Sequence, residues 1–315
     1  MGVAATSRAD EGFVHEALFY AGEEGFLSGT LPFVREGLER GESVLVVVSD
    51  RKIDRLREGL DGGGERVLFA DMSEVGSNPA HIIPLWWDFV GERARGRPVR
   101  GIGEPISPER GPVELVECQR HESLLNLAFA DAPAWRLLCP YDVAALDGSV
   151  VEEARRSHPH LVEDGRREES PTFRGLDAID APFDEPLPAP PASARELRFA
   201  DESLPSVRGF VYEQAGEAGL TTPQTHDVAL ALNELATNTI RYGGGRGVVR
   251  AWREDETFVC EVEDSGCIDD PLVGRRRPGL EQRGGRGLWI ANQLCDLVQV
   301  RSFAEGSTVR VHLRR

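Results

Sequence analysis

The sequence has almost no lysine. Lys52 is the only one, and arginine carries nearly all of the positive charge. That imbalance reads as a coding preference for arginine rather than a functional device. Bases are scarce overall as well, with 36 Lys and Arg against 53 Asp and Glu, a net charge of −17. Direct DNA binding needs clustered cations to neutralise phosphates, so no direct nucleic-acid partner is expected. No run of eighteen apolar residues occurs, so no membrane span is expected. The N-terminus has no basic start followed by an apolar stretch. It is therefore not expected to be a signal peptide, and the chain is expected to be cytoplasmic. Cysteines number five: Cys118, Cys139, Cys260, Cys267 and Cys295. None forms a C-x-x-C pair, and no His/Cys group has zinc spacing. Cys139 and Cys260 lie in apolar, strand-like runs and read as small buried hydrophobes. A redox or metal role is expected for none of the five.

What is present suffices for two ordinary domains: 315 residues, 40% of them apolar. Residues 1–191 hold 35 acids and 20 bases, whereas residues 192–315 hold 18 and 16. The expected division is a domain over 11–160, a polar and proline-rich linker over 161–194, and a second domain over 195–315. A segment such as APFDEPLPAPPASAR cannot build a core, so little fixed structure is expected in the linker.

In the first domain, short apolar runs alternate with helical patterns. Residues 43–49 (SVLVVVS), 66–70, 99–104 and 135–139 read as strands. Residues 13–20 read as opening into a helix-like passage that ends near Gly41, its stop, and residues 51–60, 82–94 and 113–129 read as helices. This alternation predicts an α/β sandwich with a parallel sheet. His15, His121, Glu122 and Tyr141 form a candidate sensory site for a small molecule. The competing reading is that His121 and Glu122 satisfy each other or cap nearby backbone.

In the second domain, residues 229–245 (ALALNELATNTIRYGGG) place Glu234 and Asn238 four apart, on one helical face. Leu230, Leu232, Leu235, Ala236 and Ile240 supply apolar bulk around them. A carboxylate at such a site can take a proton, and an amide oxygen can ligate magnesium. Three further motifs follow in order. They are Asp264, Ser265 and Gly266; then Gly284, Gly285, Arg286, Gly287 and Leu288; then Gly306, Ser307 and Thr308. Glycines there let backbone amides approach phosphate at a helix start. Between these motifs, residues 269–283 form a candidate lid carrying Arg275, Arg276 and Arg277, which either face phosphates or are simply solvated. Helices are expected over 204–219 and from Thr222, taken as the cap, to Arg241. Strands are expected over 196–200, 246–253, 257–263, 297–302 and 307–313.

These motifs resemble the boxes of the Bergerat-fold ATPases, the superfamily of histidine kinases, gyrase and Hsp90. The form NELATNTIRYG and the RGL opening of the last helix resemble most the anti-sigma-factor serine/threonine kinases. The resemblance covers about residues 194–315. It implies a C-terminal Bergerat-fold α/β sandwich binding ATP and Mg2+. It implies Glu234 as catalytic base, Asn238 as magnesium ligand, and Asp264, Gly266, Gly285, Arg286, Gly287, Leu288 and Thr308 as nucleotide contacts. It also implies a sigma factor and a STAS anti-anti-sigma protein as partners, and a homodimer. The segments GFLSGTLPFVREGLERGESVLVVVSD, GIGEPISPER, ECQRHESLLNLAF and LLCPYD resemble the MEDS sensory domain, itself similar to the RecA and KaiC ATPase core. A phosphate-binding P-loop needs a lysine and fixed glycine spacing that residues 23–30 lack, so no ATP hydrolysis is expected in that half. The chain thus reads as a sensor-controlled anti-sigma kinase. The rival readings are an orphan histidine kinase and a nucleotide-gated sigma-binding module without kinase activity.

Overall fold

The computed structural model describes residues 12–94, 96–176, 179, 185–279 and 285–315. Two compact units emerge, Met1–Gly76 with Leu85–Ile179, and Ser77–Pro84 with Asp180–Arg315.

The first unit follows the order β1 Phe13–Tyr20, α1 Gly22–Glu39, β2 Ser43–Val48, α2 Asp50–Gly59, β3 Val67–Asp71, α3 Met72–Val75, α4 Ile82–Arg93, β4 Val99–Gly103, α5 Pro112–Ala128, β5 Trp135–Asp142, α6 Gly148–Ser157, β6 His160–Glu163 and β7 Arg166–Glu169. Its seven-stranded sheet has the order β3-β2-β4-β5-β1-β6-β7. Every neighbouring pair is parallel except β6 with β7. The central strands are buried throughout, which is why they read as continuous apolar runs. Trp86 of α4 packs over Gly101 of β4, where an added Cβ would come within 2.6 Å of the ring.

Several expectations change here. β5 continues three residues past Cys139, through Pro140, which pairs with Leu18. Residues 23–30 lie wholly inside α1, and Ala21 alone separates that helix from β1. The segment after residue 160 is not unstructured, because β6 and β7 extend the sheet. The tie is electrostatic: Glu16 of β1, fully buried, accepts from Arg136 Nη2 at 2.8 Å and from Arg167 Nε of β7 at 2.6 Å. A buried carboxylate needs such partners, and a polar sequence supplies them. Helix α6 was not anticipated. Its charged sequence hides an inner face of Val150 and Ala154, and Asp147 caps it by accepting from Ser149 N at 2.8 Å.

The second unit holds β8 Arg195–Ala200, α7 Leu204–Ala218, α8 Thr222–Tyr242, β9 Arg246–Glu254, β10 Thr257–Asp264, α9 Gly287–Leu294, β11 Leu297–Phe303 and β12 Gly306–Arg314. Its sheet, in the order β11-β12-β10-β9-β8, is antiparallel at every pairing. Val249, Ala251, Cys260, Val262 and Val311 pack with Val207, Val211, Leu232 and Ala236 of α7 and α8 in one core. Residues alternate along the strands, so Arg250, Glu261 and Arg310 fall on the other face. There Arg310 donates to Glu261 Oε2 and, at 2.7 Å, to the carbonyl of Pro188. The described part of the expected linker is therefore held at that point rather than lacking fixed structure.

Helix α8 begins one residue earlier than expected. Thr221 is its cap: Thr221 N donates to Gln224 Oε1 at 3.0 Å and Gln224 N to Thr221 Oγ1 at 3.5 Å, with Pro223 in the first turn. Losing a threonine cap costs about 1 kcal/mol. Thr221→Ala should lower the unfolding free energy of the second unit by that amount, read as a lower urea midpoint with an unchanged denaturant slope, whereas Thr222→Ala should change it by less than about 0.5 kcal/mol.

Candidate nucleotide site

Glu234 and Asn238 stand one turn apart on α8, both half-buried. The helix buries Val228, Ala231, Leu232, Leu235 and Ala236 on its inner side. Leu230, expected among the apolar bulk, is instead 49% exposed, one turn before Glu234 on the polar face.

Between α8, β10, β12 and the start of α9 lies a cavity of about 270 Å³. Leu235, Val262 and Val309 give it apolar walls, and Asn238, Asp264 and Gly285 lie on its lining. Asp264 closes β10 and is held from three directions. Its Oδ1 accepts from Gly266 N at 2.9 Å and Ser307 Oγ at 3.0 Å, and its Oδ2 accepts from Thr239 Oγ1 at 2.7 Å. A carboxylate fixed this way keeps lone pairs for a donor in the cavity, such as an exocyclic amine.

Two close approaches shape the site. Gly243 ends α8 where a Cβ would fall on the Asp264 carboxylate. Gly287 opens α9 where a Cβ would lie 2.5 Å from Asn238 Nδ2 and 3.3 Å from Glu234 Cβ. Only a glycine lets the start of α9 meet the Glu234–Asn238 face. Among the described residues, the N-cap of α9, Arg286, makes no side-chain capping hydrogen bond, and Gly285 and Leu288 beside it line the cavity. Uncapped first-turn amides at a helix start suit anionic oxygens.

The remaining candidates fall as follows. Arg286 is exposed and donates to the carbonyl of Gly279 at 3.2 Å. Thr308 is not on the cavity lining, which takes Ser307 and Val309 from the alternate face of β12. Gly284 and the end of the candidate lid, residues 280–283, lie outside the described residues. Arg275 is buried, while Arg276 and Arg277 face solvent. Reading by motif gave no role to Thr239, or to Ser307 although it stands in the last motif. The register supplies the signal for the second, because Ser307 pairs with Asp264 across β10 and β12.

In the first unit the structure brings His15 and Glu122 together, with Nε2 3.2 Å from Oε2. It adds Cys139 and His158, which the sequence had not marked as functional. Burial lowers His15 to about 4, with His158 reinforcing the shift. Burial alone would raise Glu122, but the His15 and His158 imidazoles set against it hold it below the usual carboxylate range. Burial pushes the Cys139 thiol and the Tyr141 hydroxyl well above their ordinary values. Tyr141 sits edge-on to His158 at 5.6 Å between ring centres. His121 is buried on α5 but lies outside the four-residue group.

A carboxylate-floored cavity between an antiparallel sheet and helices defines the second unit as a nucleotide-binding α/β sandwich. Residues 197–313 match the histidine kinase-like ATPase domain family. Residues 14–159 match the MEDS family, the methanogen/methylotroph DcmR sensory domain. The chain thus joins a MEDS domain to a histidine kinase-like ATPase domain. Similar solved structures include the RsbU and RsbW domains of Rv1364c from Mycobacterium tuberculosis, 22% identical, covering 38% of this chain and 32% of that one, with a TM-score of 0.29. Another is the Acinetobacter baumannii histidine kinase AdeS, 13% identical, covering 38% of this chain and 67% of that one, with a TM-score of 0.22. The match spans about a third of the first of these two. A search of curated proteins gave no match. Among the described residues no helix is long and apolar enough to cross a membrane.

Asp264→Asn keeps an oxygen for Gly266 N but turns an acceptor into a donor. Hydrogen bonds to charged groups contribute about 1.5–3 kcal/mol, so calorimetry should show ATP binding weakened at least about tenfold. The melting temperature of the unit should stay within about 4 °C of the parent.

Proposed function

We propose that the chain is a cytoplasmic regulatory switch whose ATPase domain binds Mg-ATP and transfers phosphate to a serine or threonine of a STAS anti-anti-sigma protein, while its MEDS domain biases that activity. The observation that carries the reading is the convergence of Asp264, Asn238 and the uncapped start of α9 on one cavity, with Glu234 one turn from Asn238. In this reading Asp264 takes the adenine amine and the first-turn amides of α9 hold phosphate oxygens. The Asn238 side-chain oxygen ligates magnesium, a hard cation that prefers oxygen. Bound Mg-ATP supplies the phosphoryl group and the charge that offsets its transfer. Glu234 takes the proton of the attacking hydroxyl, which is a poor nucleophile without a positioned base.

The partner reading rests on the form of the α8 motif, NELATNTIRYG, and on the RGL opening of α9. A sigma factor and a STAS protein are the proposed partners, and a homodimer the proposed assembly. The MEDS domain would read a small molecule at the site of His15, His121, Glu122 and Tyr141. One observation weighs against a histidine kinase acting on this chain. The two His-Glu pairs of the sequence, His15-Glu16 on β1 and His121-Glu122 on α5, both lie inside the parallel-sheet unit, each histidine 1% exposed.

Labelled ATP incubated with the chain and STAS proteins encoded beside it tests the reading. Label on serine or threonine is expected. Glu234→Ala should cut transfer by about 10²–10⁴-fold and leave ATP affinity within about threefold. Asn238→Ala should abolish the magnesium dependence of binding. Base-stable, acid-labile label on histidine would shift the assignment to two-component signalling. ATP-dependent retention of a sigma factor without transfer would leave a binding module.

A further inference from the structure

Four side chains from four separate elements converge inside the first unit: His15 from β1, Glu122 from α5, Cys139 from β5, and His158 just after α6. Each is no more than 1% exposed. Their candidate ligand atoms all lie within 4.8 Å of one another. Glu122 Oε2 is 3.2 Å from His15 Nε2 and 3.3 Å from His158 Nε2, and Cys139 Sγ is 3.4 Å from His15 Nε2.

The tautomers are fixed from outside the group. Asn126 spends its amide N–H groups on the carbonyls of Ser157, at 2.7 Å, and Ser123, at 3.3 Å. Its Oδ1 is therefore an acceptor, and His15 Nδ1, 3.1 Å away, is the donor to it. His158 Nδ1 likewise donates to the carbonyl of Ala154 at 2.8 Å. In the neutral rings both Nε2 atoms then carry lone pairs, and both are aimed at one carboxylate oxygen. Among the described residues, His158 Nε2 has no hydrogen-bond partner, and neither do Glu122 Oε1 and the Tyr141 hydroxyl. Acceptors facing acceptors in a fully buried place are costly unless a cation lies between them.

We propose that His15, Glu122, Cys139 and His158 form a binding site for one divalent transition metal of the zinc class. The donor set of two imidazoles, a thiolate and a carboxylate suits a borderline-soft ion rather than magnesium or calcium. Ligand distances of about 2.0–2.3 Å around such an ion put neighbouring ligand atoms about 3.3–3.6 Å apart in a tetrahedron, close to the three spacings of 3.2, 3.3 and 3.4 Å given above. Charges balance, because a thiolate and a carboxylate neutralise a divalent cation. Binding forms a metal–sulfur bond and releases the Cys139 proton to solvent. Asn126 Oδ1 and the Ala154 carbonyl are the outer partners that orient ligating histidines. With four protein ligands the site is closed, the arrangement of structural rather than catalytic zinc, and His15 and Glu122 would then hold the ion in place of the small molecule proposed above. This inference is independent of the nucleotide reading, since every residue in it belongs to the first unit.

The test uses the full chain carrying Cys267→Ser, which removes the exposed thiol. After dialysis against a chelator, the chain is titrated with Zn2+ and, separately, with Co2+. About one equivalent per chain should bind, with proton release. The cobalt form should show tetrahedral ligand-field absorption and a thiolate-to-metal charge-transfer band. Cys139→Ser should abolish that band, and Glu122→Gln should weaken uptake at least tenfold, while ATP affinity stays unchanged in both. If either variant fails to fold, the charge-transfer band of the parent decides alone. No stoichiometric uptake, or a cobalt spectrum without sulfur ligation, overturns the proposal. In either case the group is held by a proton shared between Glu122 and the histidines.

Discussion

The Asp264 carboxylate can sit at the floor of the cavity only because backbone comes closer to it than any side chain allows. A Cβ on Gly243 would overlap the carboxylate, and one on Gly306 would overlap the Asp264 carbonyl. The end of α8, the exit of β10 and the turn between β11 and β12 are thus drawn onto one residue. The three hydrogen bonds to Asp264 come from these same segments, through Thr239, Gly266 and Ser307. Cores resist added volume at a cost of about 1–3 kcal/mol per site, so the glycines fix the geometry as firmly as the hydrogen bonds do. The same logic recurs at Gly287, which brings α9 against Asn238 and Glu234. A chain that kept Asp264 but lost these glycines would keep the motif and lose the site.

How far this was legible follows from the kind of signal each residue carries. Glu234, Asn238, Asp264 and Gly287 sit in local strings whose order and spacing survive in one dimension. Ser307 does not announce itself, since its role comes from pairing opposite Asp264, and strand register is a property of two segments. β2, β4 and β5 were legible because burial on both faces makes apolar runs, whereas β1, Phe13–Tyr20, equally buried, was read as the opening of a helical passage. The β6–β7 hairpin was not legible, because charge pairing at Glu16 holds it, and a stretch such as RREE reads as solvated surface. Helix α6 was missed for the same reason, since four of its ten residues are charged.

The cluster of His15, Glu122, Cys139 and His158 marks the limit of reading by spacing. Zinc motifs are recognised when ligands come in pairs along one loop. Here each comes from a different element, and the sequence separations run from 17 between Glu122 and Cys139 to 143 between His15 and His158. Only the parallel pairing of β1 with β5, with Ala17 opposite Cys139, sets His15 and Cys139 on one face. The same burial that made Cys139 look like a small hydrophobe would also keep water from competing for its sulfur.

Both units are α/β, yet the phosphate site proposed here lies in the second, and electrostatics gives a reason. In open parallel sheets anionic ligands gather at the carboxyl ends of the strands, near helix starts. At the carboxyl end of β1, Ala21 alone leads into α1, so no loop remains to wrap a phosphate. The first turn of α1 carries Glu23 and Glu24, and Glu23 already accepts from Arg51 at 3.1 Å and Arg55 at 2.8 Å. Just beyond β4 stands Glu104, buried, accepting from Tyr20 Oη at 2.6 Å and from Lys52 Nζ at 2.6 Å. Burial pushes Glu104 above its ordinary range, and Lys52 opposes that shift. The only lysine in the sequence, which composition alone suggested was incidental, is therefore committed to a carboxylate. Where a P-loop protein offers free amides and a free ammonium to phosphate, this unit presents acids whose cations are already engaged. The cationic charge at this sheet edge is committed to holding the fold, in contrast to the cavity around Asp264 on which the proposed nucleotide reading rests.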